Sequence, residues 1–248
     1  MKYLRATIRI VAFFALSGAV YGCWFLGSFI VPNKQYWRQI AFTIWANGFV
    51  RLAGMSVEVI GETPKPPFFL VSNHLSYMDI PVLRSLVDSI FVAKGEIRGW
   101  LFAGKIVSDM GMVFIDRQNR RDIPRAGVEI IKKLESGEGV IVFPEGTSTN
   151  GEEILPFNSS FFEFAAQTGL PIHYAAITYR VDEPGTKASD AVCWWDDSTF
   201  VGHMWKFFQT QRSKAIVTFG SEPVASSDRK ELARSLWSKV NEKFIPVV

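Results

Sequence analysis

The sequence predicts an α/β fold: a mainly parallel central sheet flanked by helices, with an N-terminal membrane-associated helical segment. Beyond residue 58, short apolar runs alternate with amphipathic stretches, a pattern typical of strands joined by helices. Several of these runs are apolar on both faces, as strands are when helices cover both sides of a parallel sheet. Ahead of them, residues 10–31 form 22 consecutive positions without a charged side chain.

The composition fits a folded domain that also contacts lipid. The 248 residues are enough for one large α/β domain or two small ones. A hydrophobic content of 48% with 14% aromatic residues is rich for a soluble protein. The formal net charge of +3 is too small to indicate a nucleic-acid partner. The two cysteines, Cys23 and Cys193, give neither a disulfide framework nor a metal site, which fits a reducing compartment.

The uncharged segment 10–31 is long enough to cross a membrane. As a helix it would extend ~33 Å, about the thickness of the hydrocarbon core of a bilayer. A signal peptide is the alternative, but the stretch is long for one and no clear small-x-small cleavage site follows it. The flanking charges are balanced, as expected of a monotopic hairpin with both ends on one side, although a single span is the other interpretation. Three basic residues precede the segment and three follow it: Lys2, Arg5 and Arg9, then Lys34, Arg38 and Arg51.

A second apolar segment, 36–54, has only 12 uncharged residues between Arg38 and Arg51, too few to cross. Trp37 and Trp45 suit the membrane interface, so we predict a helix lying along the headgroups with its basic residues turned outward. An ordinary core helix is the alternative. The predicted domains are therefore N-terminal membrane-associated helices at 1–57 and an α/β domain at 58–248.

Apolar runs and helical periodicity predict the elements of the α/β domain in order. The clearest is a helix at 122–135, where Asp122 is a candidate N-cap and Pro124 fits the first turn. Asp228 and Glu231 form a candidate capping box for the last helix. The predicted strands are 68–74, 90–95, 112–116, 140–146, 172–179 and 215–220, and the predicted helices are 80–87, 98–108, 122–135, 159–168 and 229–242.

Polar residues concentrate where three of these strands end. They are "SNH" at 72–74, "DR" at 116–117 and "PEGTS" at 144–148. Because ligands bind in the crevice outside the carboxyl ends of parallel strands, we expect the three clusters to converge on one site.

His74 and Asp79 are the candidate chemical pair. On one continuous helix they would lie about 140° apart, but Pro81 is tolerated only in a first turn, which places the helix start near Asp79. The intervening turn can then fold the carboxylate back onto the imidazole, leaving the other ring nitrogen free to accept a proton from a hydroxyl. The alternative is an N-capping aspartate beside an unrelated histidine. Since no G-x-S-x-G motif is present, we assign that hydroxyl to a substrate.

The loop "VFPEGTSTNG" offers the carboxylate of Glu145, a turn at Gly146 and the hydroxyls of Thr147 and Ser148. Such a loop can hold an anion or orient a polyol, and an ordinary connecting loop is the alternative. Arg117 can supply a guanidinium fork for phosphate or carboxylate, unless it is merely solvated.

With these clusters in view, the chain resembles the glycerolipid acyltransferase family, whose bacterial members acylate lysophosphatidic acid. Four ordered blocks over roughly residues 68–180 carry the resemblance. They are "NHLSYMD" for the H-x-x-x-x-D signature, "GMVFIDR" for the arginine block, "VFPEGTS" for the E-G-T block and "GLPIHYAAI" for the hydrophobic-proline strand.

The resemblance implies a direct acyl transfer without metal, cofactor or covalent acyl-enzyme. His74 would be the general base and Asp79 would orient it. The acyl donor would be an acyl-carrier protein or coenzyme A thioester, and the enzyme would act at the cytoplasmic face of the bacterial inner membrane. Residues implied to bind the acceptor's polar head are Arg117, Glu145 and Gly146, with Thr147 assisting.

Two departures concern the acceptor. Many phosphatidate-forming members have an arginine where this chain has Ser148, and many have a lysine where it has Asn158. The expected reaction is acylation of 1-acylglycerol-3-phosphate to phosphatidic acid. The alternative is O-acylation of lyso-ornithine or a related amino-acid lysolipid, whose enzymes also resemble this chain. A lipid-binding protein without activity and a thioesterase or lipase are further hypotheses from other classes.

Overall fold

The computed structural model describes residues 1–100, 103–116 and 122–247. Within these residues, seven strands form one sheet in the order β1-β7-β6-β2-β5-β3-β4. The strands are β1 (Met55–Ile60), β2 (Phe68–Ser72), β3 (Ser89–Lys94), β4 (Val113–Ile115), β5 (Gly139–Val142), β6 (Ile172–Val181) and β7 (Ser213–Phe219).

The sheet is mainly parallel, which confirms the predicted fold class. Strands β6, β2, β5, β3 and β4 all run in one direction. Strand β7 is antiparallel to β6, and β1 is parallel to β7. The carboxyl ends of β2, β5, β3 and β4 therefore share one edge of the sheet, with β2 and β5 side by side.

Helices cover both faces of the sheet and make it a three-layer structure. Alternate residues of each central strand point to opposite faces: in β2, Phe68 and Leu70 enter one core and Phe69 and Val71 the other. The first core is covered by α1 (Lys2–Gly27), α2 (Lys34–Leu52), α3 (Asp79–Leu86), α7 (Ala188–Ala191) and α8 (Phe200–Phe207), with α4 (Ala103–Asp109) at its margin. The second is covered by α5 (Asp122–Glu135), α6 (Glu163–Thr168) and α9 (Arg229–Lys243).

Several predicted elements differ in extent from those observed. The predicted helix at 98–108 is a 3-10 helix, Gly95–Gly99, followed by α4, and the one at 159–168 is a 3-10 helix, Ser159–Phe162, followed by α6. Strand β5 ends at Val142, earlier than predicted, because the chain turns at Pro144. The sequence does not predict strand β1 or helices α7 and α8, and β1 crosses residue 58.

The N-terminal helices α1 and α2 form a hairpin that packs on the first core. Helix α1 is long and apolar enough to cross a membrane by length and composition. Phe13 of α1 contacts Phe49 of α2 with ring centroids 4.5 Å apart. The expectation that the basic residues of α2 turn outward is wrong for Arg38, which is 12% exposed and pairs with the buried carboxylate of Glu138. Arg51 is exposed, as expected.

Candidate active site

The turn between β2 and α3 brings His74 and Asp79 together. Helix α3 begins at Asp79, and Pro81 lies in its first turn, as the sequence predicts. Nδ1 of His74 lies 2.6 Å from Oδ2 of Asp79. Just before the turn, the side-chain amide of Asn73 donates to the carbonyl of Ile177 and accepts from its N–H, which fixes the end of β2 against β6.

Asp79 is fully buried, and hydrogen-bond donors surround its carboxylate. Oδ2 accepts from the backbone N–H groups of Leu75, at 2.7 Å, and Ser76, at 3.0 Å, as well as from His74. Oδ1 accepts from the hydroxyl of Tyr179 at 2.6 Å. A carboxylate so placed only accepts, so His74 must carry its proton on Nδ1, and Nε2 has a free lone pair.

The His74 ring is held flat against Phe143 and remains open to solvent. The two rings stack with centroids 4.2 Å apart and planes 12° apart. The His74 side chain is 23% exposed, whereas Asp79 has no exposure. A histidine bound to a buried carboxylate through one nitrogen, with a side chain that solvent reaches, has the arrangement that a general base requires.

Glu145 connects the loop after β5 to the turn that carries His74 and Asp79. Its Oε1 accepts from the backbone N–H of His74 at 2.7 Å, and its Oε2 from the N–H of Leu155 at 2.8 Å. Burial raises the pKa of Glu145 to about 7, although the two backbone N–H groups favour the ionised form. This carboxylate therefore holds the backbone of His74 in place. Its contact with an acceptor stays a prediction.

The rest of the E-G-T block surrounds the same turn. Gly146 has a φ of 84°, a left-handed conformation that favours glycine. The side chain of Thr147 is exposed, whereas the hydroxyl of Ser148 donates to the carbonyl of Trp194. The backbone N–H of Trp194 donates in turn to the carbonyl of Leu75 at 2.8 Å, so this tryptophan connects the two loops.

The third predicted cluster lies farther along the sheet edge. Two of the three clusters meet directly, through Glu145 and His74, but β4 is two strand positions from β5, or about 10 Å. A cleft of about 510 Å³ lies at the ends of β3 and β4. Arg117 falls outside the described residues, so its role stays a prediction. The cleft is lined by Gly95, Glu96, Arg98, Phe114, Asp116, Asp122 and Arg125.

The sequence analysis assigns no role to three residues that shape this site: Asn73, Tyr179 and Trp194. Tyr179 lies in an apolar strand and follows Asp79 by 100 positions, so its pattern is that of a core residue. Asn73 gives a weak signal, since a buried amide at a strand end needs partners for all of its polar atoms. Trp194 gives none, because it acts through its backbone.

The fold and this site define an α/β protein with a histidine–aspartate pair at the carboxyl edge of its sheet. The sequence profile of the family described as Acyltransferase matches residues 56–178. A lyso-ornithine lipid O-acyltransferase of Pseudomonas aeruginosa is 34% identical over 199 residues, covering 79% of this chain and 75% of that protein. A 1-acyl-sn-glycerol-3-phosphate acyltransferase of Neisseria gonorrhoeae is 28% identical over 213 residues, covering 85% of this chain and 82% of that protein.

The fold is shared with a solved structure. The crystal structure of the 1-acyl-sn-glycerophosphate acyltransferase of Thermotoga maritima matches with a TM-score of 0.72 and 22% identity, covering 98% of this chain and 95% of that one. The chain belongs to the acyltransferase family, which confirms the resemblance drawn from its four sequence blocks.

Proposed function

We propose that this protein transfers a fatty acyl group from an acyl thioester to the free hydroxyl of a membrane lysolipid. The observation that carries the proposal is the histidine whose Nδ1 is bound to a buried carboxylate while its side chain stays 23% exposed. Further support comes from the names of the relatives, which are acyltransferases for two kinds of lysolipid.

The proposed reaction is a direct displacement at the thioester carbonyl. Nε2 of His74 takes the proton of the acceptor hydroxyl while that oxygen attacks the carbonyl carbon and the new C–O bond forms. Collapse of the tetrahedral intermediate breaks the C–S bond, and the imidazolium returns its proton to the departing thiolate. Asp79 stabilises the imidazolium between these two steps. The donor is coenzyme A or acyl-carrier protein thioester, and neither a metal nor a covalent acyl-enzyme takes part.

The acceptor proposed first is 1-acylglycerol-3-phosphate, giving phosphatidic acid. A specific observation favours a second candidate, lyso-ornithine or a related amino-acid lysolipid. The two positions that carry cations in many phosphatidate-forming enzymes serve local structure here. The hydroxyl of Ser148 donates to Trp194, and Oδ1 of Asn158 accepts from the backbone N–H of Ser160. The cleft beside the site has guanidinium and carboxylate groups together, which also suits a headgroup bearing both charges.

The proposed location is the cytoplasmic face of the bacterial inner membrane, with α1 and α2 as the membrane-associated segment. Large apolar side chains of α1 are exposed along its outer face: Leu4, Ile8, Val11, Phe14 and Leu26. Because a lysolipid resides in the bilayer, an anchor packed against the catalytic layer would bring the hydroxyl and the base to the same depth.

His74→Ala tests the chemistry. With purified enzyme in lipid vesicles, we expect acyl transfer to be lost while vesicle binding and thermal stability persist. His173→Ala is the matched control. His173 lies at the start of β6, against Phe68 at the start of β2, whereas His74 follows the end of β2, so this substitution should leave transfer unchanged. An active His74→Ala enzyme would refute the mechanism. Free fatty acid as the main product with acceptor present would indicate a thioesterase.

The same preparation tests the acceptor. Either thioester is supplied with 1-acylglycerol-3-phosphate or with lyso-ornithine lipid, and the acylated product is identified by mass spectrometry. Phosphatidic acid alone would support the first acceptor and diacylated ornithine lipid alone the second. Saturable lipid binding without any product would support the non-enzymatic alternative.

A further inference from the structure

A tyrosine distant in sequence reaches the carboxylate behind the catalytic base. Tyr179 lies near the end of β6, has no exposed surface, and donates its hydroxyl proton to Oδ1 of Asp79 at 2.6 Å. The O–H group approaches the carboxylate from the sheet side, opposite the loop that carries His74. Neither the four sequence blocks nor the proposed mechanism uses this residue.

The two oxygens of Asp79 are held unequally. Oδ2 accepts from Nδ1 of His74 and from the N–H groups of Leu75 and Ser76. Among the described residues, Tyr179 is the hydrogen-bond donor to Oδ1. A buried charged oxygen without a donor is costly, and an O–H···O⁻ bond of this length is a strong, charge-assisted one. Without Tyr179, Oδ1 would lose this donor, and the carboxylate would lose one of the contacts that fix its rotation about the Cβ–Cγ bond.

We propose that Tyr179 is a positioning residue for catalysis: its hydroxyl orients the Asp79 carboxylate toward His74 and limits how strongly that carboxylate stabilises the imidazolium. The inference rests on the proposed function. The positive end of the O–H dipole lies against Asp79, and it therefore opposes the potential that the carboxylate exerts on the imidazole. Removing the hydroxyl should make the histidine easier to protonate and less well aligned.

Among the residues that the structure describes, Glu145 and Cys193 are titratable groups that interact with Asp79, and Tyr77 lies in the same turn. Burial raises the pKa values of Tyr179, Tyr77 and Cys193 well above their ordinary ranges, so all three stay protonated at working pH. Glu145, with a pKa of about 7, is the neighbour that can titrate in the same range. Because Glu145 is present in every variant compared below, differences between variants report on Tyr179.

A purely structural role is the competing explanation, since the same bond also ties β6 to the start of α3. Thr178→Val is the matched control for it. Thr178 is adjacent in β6 and faces the opposite side of the sheet, where its buried hydroxyl donates to the carbonyl of Ile245 at 2.8 Å. Both substitutions, Tyr179→Phe and Thr178→Val, remove one buried hydroxyl from neighbouring positions, but only one of those hydroxyls touches Asp79.

The experiment compares the pH profiles of acyl transfer for wild type, Tyr179→Phe and Thr178→Val in vesicles. For Tyr179→Phe we expect kcat to fall about 10-fold, the rate equivalent of one hydrogen bond, with the KM for the lysolipid unchanged. The acidic limb of its kcat/KM profile should move to higher pH. Thr178→Val should lower the melting temperature without moving that limb.

Two further variants extend the test, and the first of them keeps it decisive if Tyr179→Phe folds poorly. Tyr179→3-fluorotyrosine preserves the ring and the hydroxyl but makes the phenol a stronger donor, so the acidic limb should move to lower pH. In an Asp79→Asn background, Tyr179→Phe should have no further effect on kcat, because a positioning residue acts through its partner.

A wild-type profile for Tyr179→Phe, an unmoved limb with 3-fluorotyrosine, or additive losses in the double variant would each overturn the inference. Failure of the proposed function is recognised separately. If His74→Ala retains transfer, the mechanism itself is wrong, whereas loss of transfer in His74→Ala with unaltered Tyr179 variants refutes the role of Tyr179 alone.

Discussion

At the scale of single residues, Glu145 combines a structural role with a raised pKa. Both oxygens of its carboxylate accept hydrogen bonds from backbone N–H groups, one of them that of His74. Burial nevertheless raises its pKa from the ordinary 4.5 to about 7. A proton on Glu145 is therefore held more tightly in the folded protein than in the unfolded chain.

Glu145→Gln should remove a component of the pH dependence of stability. Between about pH 4.5 and 7 the unfolded chain releases this proton before the folded protein does, so the wild-type contribution declines as pH rises through that window. The difference in free energy of unfolding, wild type minus Glu145→Gln, should fall by up to about 1.4 kcal/mol per pH unit. Urea titrations at pH 5, 6, 7 and 8 measure it.

Glu152→Gln provides the control, since that side chain lies in the same loop and is exposed. A flat difference for Glu145→Gln across this range would mean that the pKa of Glu145 is not raised. The predicted direction is specific, because a carboxylate stabilised by its two N–H donors alone would have a lowered pKa, and its difference would rise with pH only below about pH 4.5.

The His74–Asp79 pair could be predicted from the sequence, but the residue that supports it, Tyr179, could not. His74 and Asp79 could be paired from their spacing and from Pro81, because proline restricts where a helix begins. Tyr179 could not be linked to them, since a buried tyrosine in an apolar strand has the same pattern whether it packs or donates a hydrogen bond. The bond depends on the register of β6 beside β2, which the local sequence does not specify.

At the scale of elements, helix α2 is held by an ion pair of Arg38, a residue that the sequence analysis expected to face outward. Arg38 donates to Oε2 of Glu138, which precedes β5 and is 3% exposed. Gln39 donates to the same oxygen at 2.7 Å, and Lys133 lies 3.5 Å from the other one. The hairpin is thus fixed to the sheet by charge as well as by apolar packing.

Arg38→Met should destabilise the fold by about 3 kcal/mol, the low end for breaking a buried pair, because Gln39 and Lys133 still contact the remaining carboxylate. The midpoint of urea unfolding measures the loss. Lys214→Met removes a comparable bridge, to Glu58, at the surface and should leave the midpoint unchanged. Equal midpoints for the two variants would show that the Arg38 pair contributes nothing.

Elements with a strong local signal could be predicted, and those defined by tertiary pairing could not. Helix α5 occupies the predicted residues, 122–135, because its apolar spacing and first-turn proline agree. Strand β1 was missed because its outer half is exposed and carries Glu58, so it lacks the apolar run of a central strand. The antiparallel direction of β7 beside β6 also could not be predicted, because parallel and antiparallel pairing use the same side chains.

At the scale of the whole molecule, the N-terminal hairpin and the catalytic turn belong to one packed layer. Phe13 of α1 packs on Phe49 of α2, and Phe49 stacks on Tyr77, inside the His74–Asp79 turn, with centroids 6.4 Å apart. Tyr77 also meets Trp194 and Phe200 edge-on. Aromatic contacts therefore run from the apolar helix to the turn that carries His74 and Asp79.

Both halves of α1 are bonded to the α/β part of the chain. Near its start, the guanidinium of Arg9 donates to the carbonyls of Thr210, at 2.6 Å, and Gln211, at 3.1 Å. Near its end, the hydroxyl of Tyr21 donates to Asp109 at 2.6 Å. Arg9 and Tyr21 lie ~18 Å apart along the helix, so a helix that crossed a bilayer from Arg9 would carry Tyr21 deep into the ~30 Å hydrocarbon core, away from a domain on one side of the membrane. The bonds therefore favour the monotopic hairpin over the single span.

Both ends of α1 should accordingly be accessible from the same side of a membrane. Lys2→Cys and Lys34→Cys, each in a Cys23→Ser background, place a thiol at an exposed position at the start of the helix and at another after its end. In sealed vesicles, a membrane-impermeant maleimide should label both from the side that labels Lys230→Cys, an exposed position on α9. Labelling of positions 2 and 34 from opposite sides would establish a true span. It would also require the Arg9 or the Tyr21 contact to break in the membrane, because the domain lies on only one side of it.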